Sequence, residues 1–359
     1  MAQKRIVAFH LYNDFSGSPK VLRILLEGLA KRGYKIHLFT SKGGILDDLS
    51  KFGVNIHHFY YKFSSFKPLT ALLSLKVQLQ LLYYGLIFGR KEDLFFINTI
   101  LPFGAALAGK IRGCKVIYHY HENAFVKSRY YAFLGHRMER FADKIICVSQ
   151  FQANGLSRKD YSIIPNPISN GFKLSLNPDI EKAFSYKRIL MLSSLKGYKG
   201  TKEFIQLASM LPDYNFEIVI NDTQSNIDDY CKTLDIAIPA NLTINSRQSN
   251  VAQFYSNASI VLNLSDKKIC LETFGLTVTE AFAAGLPVIV PTEGGISELV
   301  QDGVNGYKID VVDLSGIAAK IHEILSNHDL YIKLAKGAKE SSLLFDEDIF
   351  INNIEQQIN

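Results

Sequence analysis

Residues 271–300, LETFGLTVTEAFAAGLPVIVPTEGGISELV, constrain this 359-residue chain more than any other stretch. A helix-forming run over 278–284 meets a stop signal at Gly285. Pro287-Val288-Ile289-Val290 then reads as a short buried strand, closed by Gly294-Gly295. The same stretch carries chemistry, because Glu272 and Glu280 lie eight positions apart around Phe274-Gly275-Leu276. A glycine immediately before a helix lets a ligand approach backbone N–H groups that have no intrahelical partner. The helix dipole adds to the attraction, so Gly275 and Leu276 suit a diphosphate. Glu280, more than one turn into the helix, is placed to accept hydrogen bonds from a diol such as ribose. Glu272 precedes the turn and faces what lies beyond the phosphates. Two glutamates at this spacing also arise as one cap and one solvated helix carboxylate. That alternative leaves the glycine placement and the Gly-x-Pro-Val-Ile strand entry unexplained.

The rest of the chain alternates strands and helices, the pattern of an α/β protein with parallel sheets. Strand 5–10 leads through the turn Asp14-Phe15-Ser16-Gly17-Ser18-Pro19 into helix 20–32. That helix has Val21, Leu22, Leu25, Leu26 and Leu29 at helical spacing, Gly33 as its stop, and strand 35–40 after it. The turn lacks the Gly-x-Gly-x-x-Gly fingerprint of a nicotinamide dehydrogenase. Further elements are expected at 55–59, in a long apolar helix from 69, and at 94–98, 103–110, 115–120 and 142–149. A second set begins at 188–192, with strands 216–220, 242–245 and 260–264, helices 251–256 and 314–325, and one or two more helices over 340–359. Residues 169–187 are polar and marked by Gly and Pro, a linker by composition. The expected domains are 1–168, a linker 169–187, 188–339, and a helical tail 340–359.

Length fits about two domains, and 47% apolar against 21% charged residues describes a foldable globular chain. Cys114, Cys147, Cys231 and Cys270 are scattered without paired spacing, which suggests buried reduced thiols and argues against zinc or any other metal site. Arg5-Ile6-Val7-Ala8-Phe9 reads as a first core strand rather than a signal peptide. The most apolar run, 69–89, is interrupted by Lys76, Gln78 and Gln80, so no membrane span is expected. A net charge of +6 favours anionic partners. No nucleic-acid-binding string is present, which leaves donor nucleotides and anionic lipid surfaces. A lipid surface would suit the stretch between Tyr60 and Arg112. There Lys62, Lys67, Lys76, Arg90, Lys91, Lys110 and Arg112 interleave with Phe63, Phe66, Leu69, Leu72, Leu73, Tyr83 and Tyr84. The same leucines would equally serve as the core face of a helix.

Residues 258–310 resemble the Glu-x7-Glu signature of the retaining nucleotide-sugar glycosyltransferases known as glycosyltransferase family 4. Glu272, Phe274-Gly275-Leu276, Glu280-Ala281, Gly285, Pro287-Val288, Gly294-Gly295, Glu298 and Asn305-Gly306 all fall at that family's spacing. The first half resembles it more loosely. Ser16-Gly17-Ser18 stands where the family has a Gly-Gly turn facing the donor phosphates, and Gly17 keeps the exposed amide. His121-Glu122 stands where the family has a histidine followed by an acid at a strand end, and in related enzymes this histidine approaches the transferred sugar. His119 shares its strand face. Pro165-Asn166-Pro167 replaces the Pro-Asn-Gly that approaches the hinge. Lys199-Gly200 matches the end of the Gly-Arg-x4-Lys-Gly string, but Ser193-Ser194 replaces Gly-Arg. The usual Arg and Lys together neutralise the donor diphosphate, so Lys196 or Arg247 is the candidate for the second cation.

The resemblance implies the GT-B fold: two Rossmann-like domains facing each other across a cleft, with a C-terminal helix returning to the first. It implies transfer of a hexosyl group from a nucleotide diphosphate sugar to a hydroxyl of a glycan or lipid-linked acceptor, with retention and without metal or other cofactor. Lys199 and the amides near Gly275-Leu276 would hold the diphosphate, Glu280 the ribose and Glu272 the sugar hydroxyls, with His121 close to the sugar. Surface polysaccharide or lipopolysaccharide synthesis, at the cytoplasmic face of a membrane, is the expected setting. Alternatives are an epimerase of the same fold, a glycan-binding protein with a decayed site (for which Ser194 speaks), and a nicotinamide dehydrogenase.

Overall fold

The apolar runs of the first half become a seven-stranded parallel sheet. Its strands are β1 (Ile6–Phe9), β2 (Ile36–Thr40), β3 (Asn55–His58), β4 (Leu94–Asn98), β5 (Lys115–Tyr120), β6 (Lys144–Cys147) and β7 (Tyr161–Ile163). Their order is β3-β2-β1-β4-β5-β6-β7, with Ile6 in register with Ile36 on one side and Leu94 on the other. The second half forms a six-stranded parallel sheet: β8 (Arg188–Ser193), β9 (Asn215–Ile220), β10 (Leu242–Asn245), β11 (Ile260–Leu262), β12 (Val288–Val290) and β13 (Gly306–Lys308), in the order β10-β9-β8-β11-β12-β13. Helices cover these sheets, so strands such as LFFIN are buried at every position.

This computed structural model describes residues 5–61, 67–234 and 236–359. The chain divides into two units, Met1–Pro167 with Glu347–Asn359, and Ile168–Asp346. In the first unit α1 (Gly17–Lys31) starts three residues earlier than its apolar spacing suggests. Helix α2 (Lys67–Phe88) packs against α3 (Phe103–Arg112), burying Val77 and Leu81. The opposite side of α2 exposes Leu69, Leu72, Leu75, Leu79, Tyr83 and Ile87, so the leucines of this stretch divide between core and solvent. Lys62, Phe63 and Phe66 of the basic–aromatic stretch lie outside the described residues. Among the described residues no helix is long and apolar enough to cross a membrane.

Two segments differ from their composition. Residues 169–187 form two short helices, Asn170–Ser175 and Ile180–Tyr186, and belong to the second unit rather than acting as a linker. Their few apolar side chains anchor them: Phe172 meets Tyr255 edge-on at 5.5 Å, and Phe184 lies 5.2 Å from Tyr331. Asp179 caps the second helix, and the Ser259 hydroxyl donates to the Ala183 carbonyl. The tail also divides later than residue 340. His328–Ser341 and the turn Ser342–Phe345 stay with the second unit, and only Glu347–Ile358 returns to the first. There Glu355 accepts from Arg32 at 2.5 Å and from the Tyr34 hydroxyl at 2.8 Å.

Each sheet has a topological switch point, β1/β4 in the first and β8/β11 in the second. In open parallel sheets ligands bind beyond the carboxyl ends of the strands at that place. Lys199 and Glu272 follow strands of the second sheet at this edge, and His121 follows β5 at the corresponding edge of the first.

Candidate active site

In the second unit, the loop after β8 is drawn against the segment after β11. Tyr198 O accepts from Asp266 N at 2.8 Å. Gly200 sits at φ 76°, and a Cβ there would lie 2.4 Å from the Leu264 carbonyl oxygen, so glycine is required. Lys199, fixed between these contacts, donates to a carboxylate oxygen of Glu272. The same oxygen accepts from the Ser265 hydroxyl at 2.9 Å. Burial lowers the Lys199 pKa, and the charge and hydrogen bond of Glu272 more than offset it. The net shift is upward and the ammonium stays charged.

The Glu272 backbone is itself clamped. Gly295 N donates to Glu272 O at 2.7 Å, and Gly294, at φ 102°, would place a Cβ 2.8 Å from that oxygen. Gly294 therefore lets the two loops touch, and the Gly295 amide ties them. Phe274 is buried and meets Phe345 edge-on at 5.9 Å, so its side chain anchors the turn rather than facing a ligand. Gly275 packs against Ile296 and precedes the helix Leu276–Ala283. Its carbonyl accepts from Val278 and Thr279, and the amides of the first turn point out of the helix end.

One turn further on, Glu280 accepts a hydrogen bond from the Tyr255 hydroxyl at 2.7 Å. Tyr255 is fully buried, and burial together with the Glu280 charge pushes its pKa well up, so it remains a donor. Sequence reading missed Tyr255, because nothing in the run 251–256 marks it as anything but a helical core residue. Lys196 lies exposed on the same turn as Lys199 and accepts from the Lys199 amide through its carbonyl at 2.8 Å. Arg247 stands elsewhere on this edge. Its guanidinium donates to Asn221 at 2.7 Å, past the ends of β9 and β10, and β9 separates β10 from β8. Ser194 directly follows β8, and its carbonyl accepts from Lys196 N.

In the first unit, Gly17 opens α1 behind Ser16, and Asp14 accepts from both the Ser16 amide at 2.9 Å and its hydroxyl. His121 follows β5, with Nε2 3.1 Å from Asn98 Oδ1. Burial, with His119 and His10 nearby, holds its pKa well below the ordinary value, so the ring is neutral at pH 7. His119 is wholly buried in β5, 4.1 Å from His121 between ring centroids, and its pKa falls to about 3 through burial. Its ring packs near Phe350 of the last helix, which makes it a core residue. Glu122 accepts from Ile100 N at 3.2 Å, and burial raises its pKa to about 6. Cys114 and Cys147 are buried as expected, with thiol pKa values pushed up to about 11 and about 12; Cys231 and Cys270 are only half-buried.

Residues 177–341 match the family described as Glycosyl transferases group 1, and residues 15–170 match Glycosyltransferase Family 4. The chain is 29% identical over 164 residues to N-acetyl-alpha-D-glucosaminyl L-malate synthase of Bacillus anthracis. That match covers 44% of this chain and only 41% of the relative. It is 25% identical over 398 residues to the capsular polysaccharide biosynthesis glycosyltransferase CapM of Staphylococcus aureus, covering 98% and 96% of the two chains. Among solved structures, Anabaena HepE in complex with UDP-glucose aligns with a TM-score of 0.80 at 20% identity over 99% of both chains. That likeness is one of fold, and the fold is GT-B.

Proposed function

The chain belongs to the glycosyl transferases, and we propose that it moves a hexosyl group from a nucleotide diphosphate sugar to a hydroxyl of a glycan or lipid-linked acceptor. The observation that carries this reading is the Lys199–Glu272 pair at the β8/β11 switch point, beside the N-terminus of the helix that bears Glu280. The charge of a departing diphosphate grows in the transition state. Lys199 and the first amides of helix Leu276–Ala283 would balance it, with Lys196 or Arg247 as the further cation. Glu280, oriented by Tyr255, would accept from the ribose hydroxyls. Glu272 would orient hydroxyls of the sugar, Gly17 would offer its amide to the phosphates, and neutral His121 would meet the transferred sugar.

In this reading no side chain is the nucleophile. The departing phosphate takes the acceptor proton on the face it leaves, which gives retention, and the protein contributes positioning and charge stabilisation without a metal ion. CapM, named for capsular polysaccharide biosynthesis, supports a surface-glycan acceptor. The exposed apolar side of α2 and the exposed Lys76, Arg90, Lys91 and Arg112 support work at the cytoplasmic face of a membrane. Ser194, in place of an arginine, favours a second reading, a glycan-binding protein that has lost turnover.

A thermal-shift series with UDP-, GDP-, ADP- and TDP-hexoses tests the proposal, followed by analysis of the anomeric configuration of the product. One donor should stabilise the protein and yield a retained glycoside. Stabilisation by none of them overturns the donor site. A sugar isomer formed without acceptor identifies an epimerase instead.

A further inference from the structure

Three histidines crowd the switch point of the first sheet: His10 just past β1, His119 in β5 and His121 just past β5. Asn98, the last residue of β4 and fully buried, lies between two of them. Its Nδ2 is 3.3 Å from the Ser18 carbonyl oxygen and 3.0 Å from His10 Nδ1, and its Oδ1 is 3.1 Å from His121 Nε2. A carbonyl can only accept, so Ser18 fixes which end of the amide carries the N–H groups. A second carbonyl checks the assignment from the other end. His10 Nε2 lies 2.8 Å from Tyr12 O, so the proton of the neutral ring is on Nε2 and Nδ1 accepts from Asn98. Both routes leave Asn98 Oδ1 facing His121 as an acceptor, and His121 Nε2 must then be the donor.

We infer that Asn98 is a positioning residue that holds His121 in its neutral Nε2–H tautomer, through an amide oriented by Ser18 and His10. The bearing on transfer rests on the proposal that His121 meets the sugar. In this tautomer Nδ1 is the acceptor, so the imidazole receives a hydrogen bond from a sugar hydroxyl rather than giving one. Thr99, the next residue, has φ 71°, a region that β-branched residues avoid, and its N–H donates to His119 O at 2.9 Å. The strand end that presents Asn98 is thus held by its surroundings in a conformation its own sequence disfavours.

The test reads the tautomer directly. Two-bond 1H–15N spectra of histidine-labelled wild-type protein, without substrate, should show His121 and His10 both protonated on Nε2 at pH 7. His121 protonated on Nδ1, or on both nitrogens, overturns the inference. Asn98→Asp keeps an acceptor toward His121 but cannot donate to Ser18 or His10, and its charge favours imidazolium. It should retain nucleotide-sugar stabilisation and KM while the acid limb of its kcat profile moves to higher pH. Asn98→Ala should lose the single tautomer and drop kcat about tenfold or more, the scale seen when a histidine is mis-tautomerised or loses its orienting partner. Unchanged kcat and pH profile in both variants overturn the role in transfer. Wild-type protein without turnover on any donor sinks the glycosyltransferase reading instead, since the spectrum needs no substrate.

Discussion

Lys199 donates to the carboxylate of Glu272 across 73 residues of chain, and the Ser265 hydroxyl donates to the same oxygen. The pair joins the loop after β8 to the loop after β11, so the two residues hold one another in place before any donor arrives. We expect Glu272→Ala chiefly to lower kcat and Lys199→Ala to lower both kcat and donor affinity. Each loses a charge-assisted hydrogen bond worth roughly 1.5–3 kcal/mol. Groups acting as a unit are non-additive, so the double variant should lose little beyond the worse single one. Steady-state kinetics on the three variants check this, and strictly multiplicative losses would show that the two act independently.

Tyr255 gives a sharper test of the ribose assignment than Glu280 alone. Glu280→Ala should weaken the free nucleotide, and so should Tyr255→Phe, which keeps the ring buried but removes the hydroxyl that orients the carboxylate. A hydrogen bond to a charged group is worth about 1.5–3 kcal/mol, or roughly tenfold or more in affinity. Calorimetric titration with the nucleoside diphosphate decides. Wild-type affinity in Glu280→Ala would remove Glu280 from the ribose site.

Turnover should survive EDTA, because an ammonium and helix-end amides are assigned the diphosphate charge. Assays before and after chelation answer this, and a loss restored by magnesium or manganese would put the metal back into the mechanism.

The buried histidines predict how stability changes with acid. His10 falls from 6.5 to about 4 and His119 to about 3, both through burial. Each folded pKa lies below its unfolded value, so each contributes stability that is complete above about pH 6.5. That stability is lost at about 1.4 kcal/mol per pH unit as pH falls. Glu122 works in the opposite sense. Raised to about 6, it favours the fold below its ordinary 4.5 and loses that contribution as pH rises to 6. Two histidines outweigh one carboxyl, so urea unfolding should show a net fall between pH 6.5 and 4.5. Neither ring nitrogen of His119 has a hydrogen-bond partner among the described residues. His119→Phe should therefore cost little at pH 7 and flatten the acid limb. The same slope in variant and wild type would remove His119 as a cause.

The sheets were readable because helix-covered parallel strands are apolar runs, and β4 and β5 fall where those runs predict. Glu272, Glu280 and Lys199 were readable as single residues because glycines mark their turns. Their partners were not. The contact of Lys199 with Glu272 depends on β8 lying beside β11, and Tyr255 reaches Glu280 only once the helix Ala252–Ser256 has docked. Spacing along the chain holds no information about either neighbour. The segment 169–187 misled for a related reason: its composition is polar, and two phenylalanines suffice to seat it.

The outer side of α2 gives the last prediction. A surface helix ordinarily turns its polar side outward. Here Leu69, Leu72, Leu75, Leu79, Tyr83 and Ile87 recur every three or four residues on the exposed side, while Val77 and Leu81 fill the buried one. Residues 67–91 contain no acid, and Lys76 stands exposed among the apolar residues. Arg90 and Lys91 follow the helix, and Arg112 joins them by donating to Gly89 O at 2.9 Å. Basic residues near an anionic surface contribute about 1 kcal/mol each, and inserted apolar side chains add to that. The wild-type protein should co-sediment with vesicles containing anionic lipid and be released as salt rises. Leu72→Glu with Leu79→Glu should abolish pelleting while leaving stabilisation by the nucleotide sugar unchanged, since both residues lie in the other unit from Lys199 and Glu280. Equal, negligible pelleting of wild-type protein with anionic and neutral vesicles at low salt would leave this face without a lipid role.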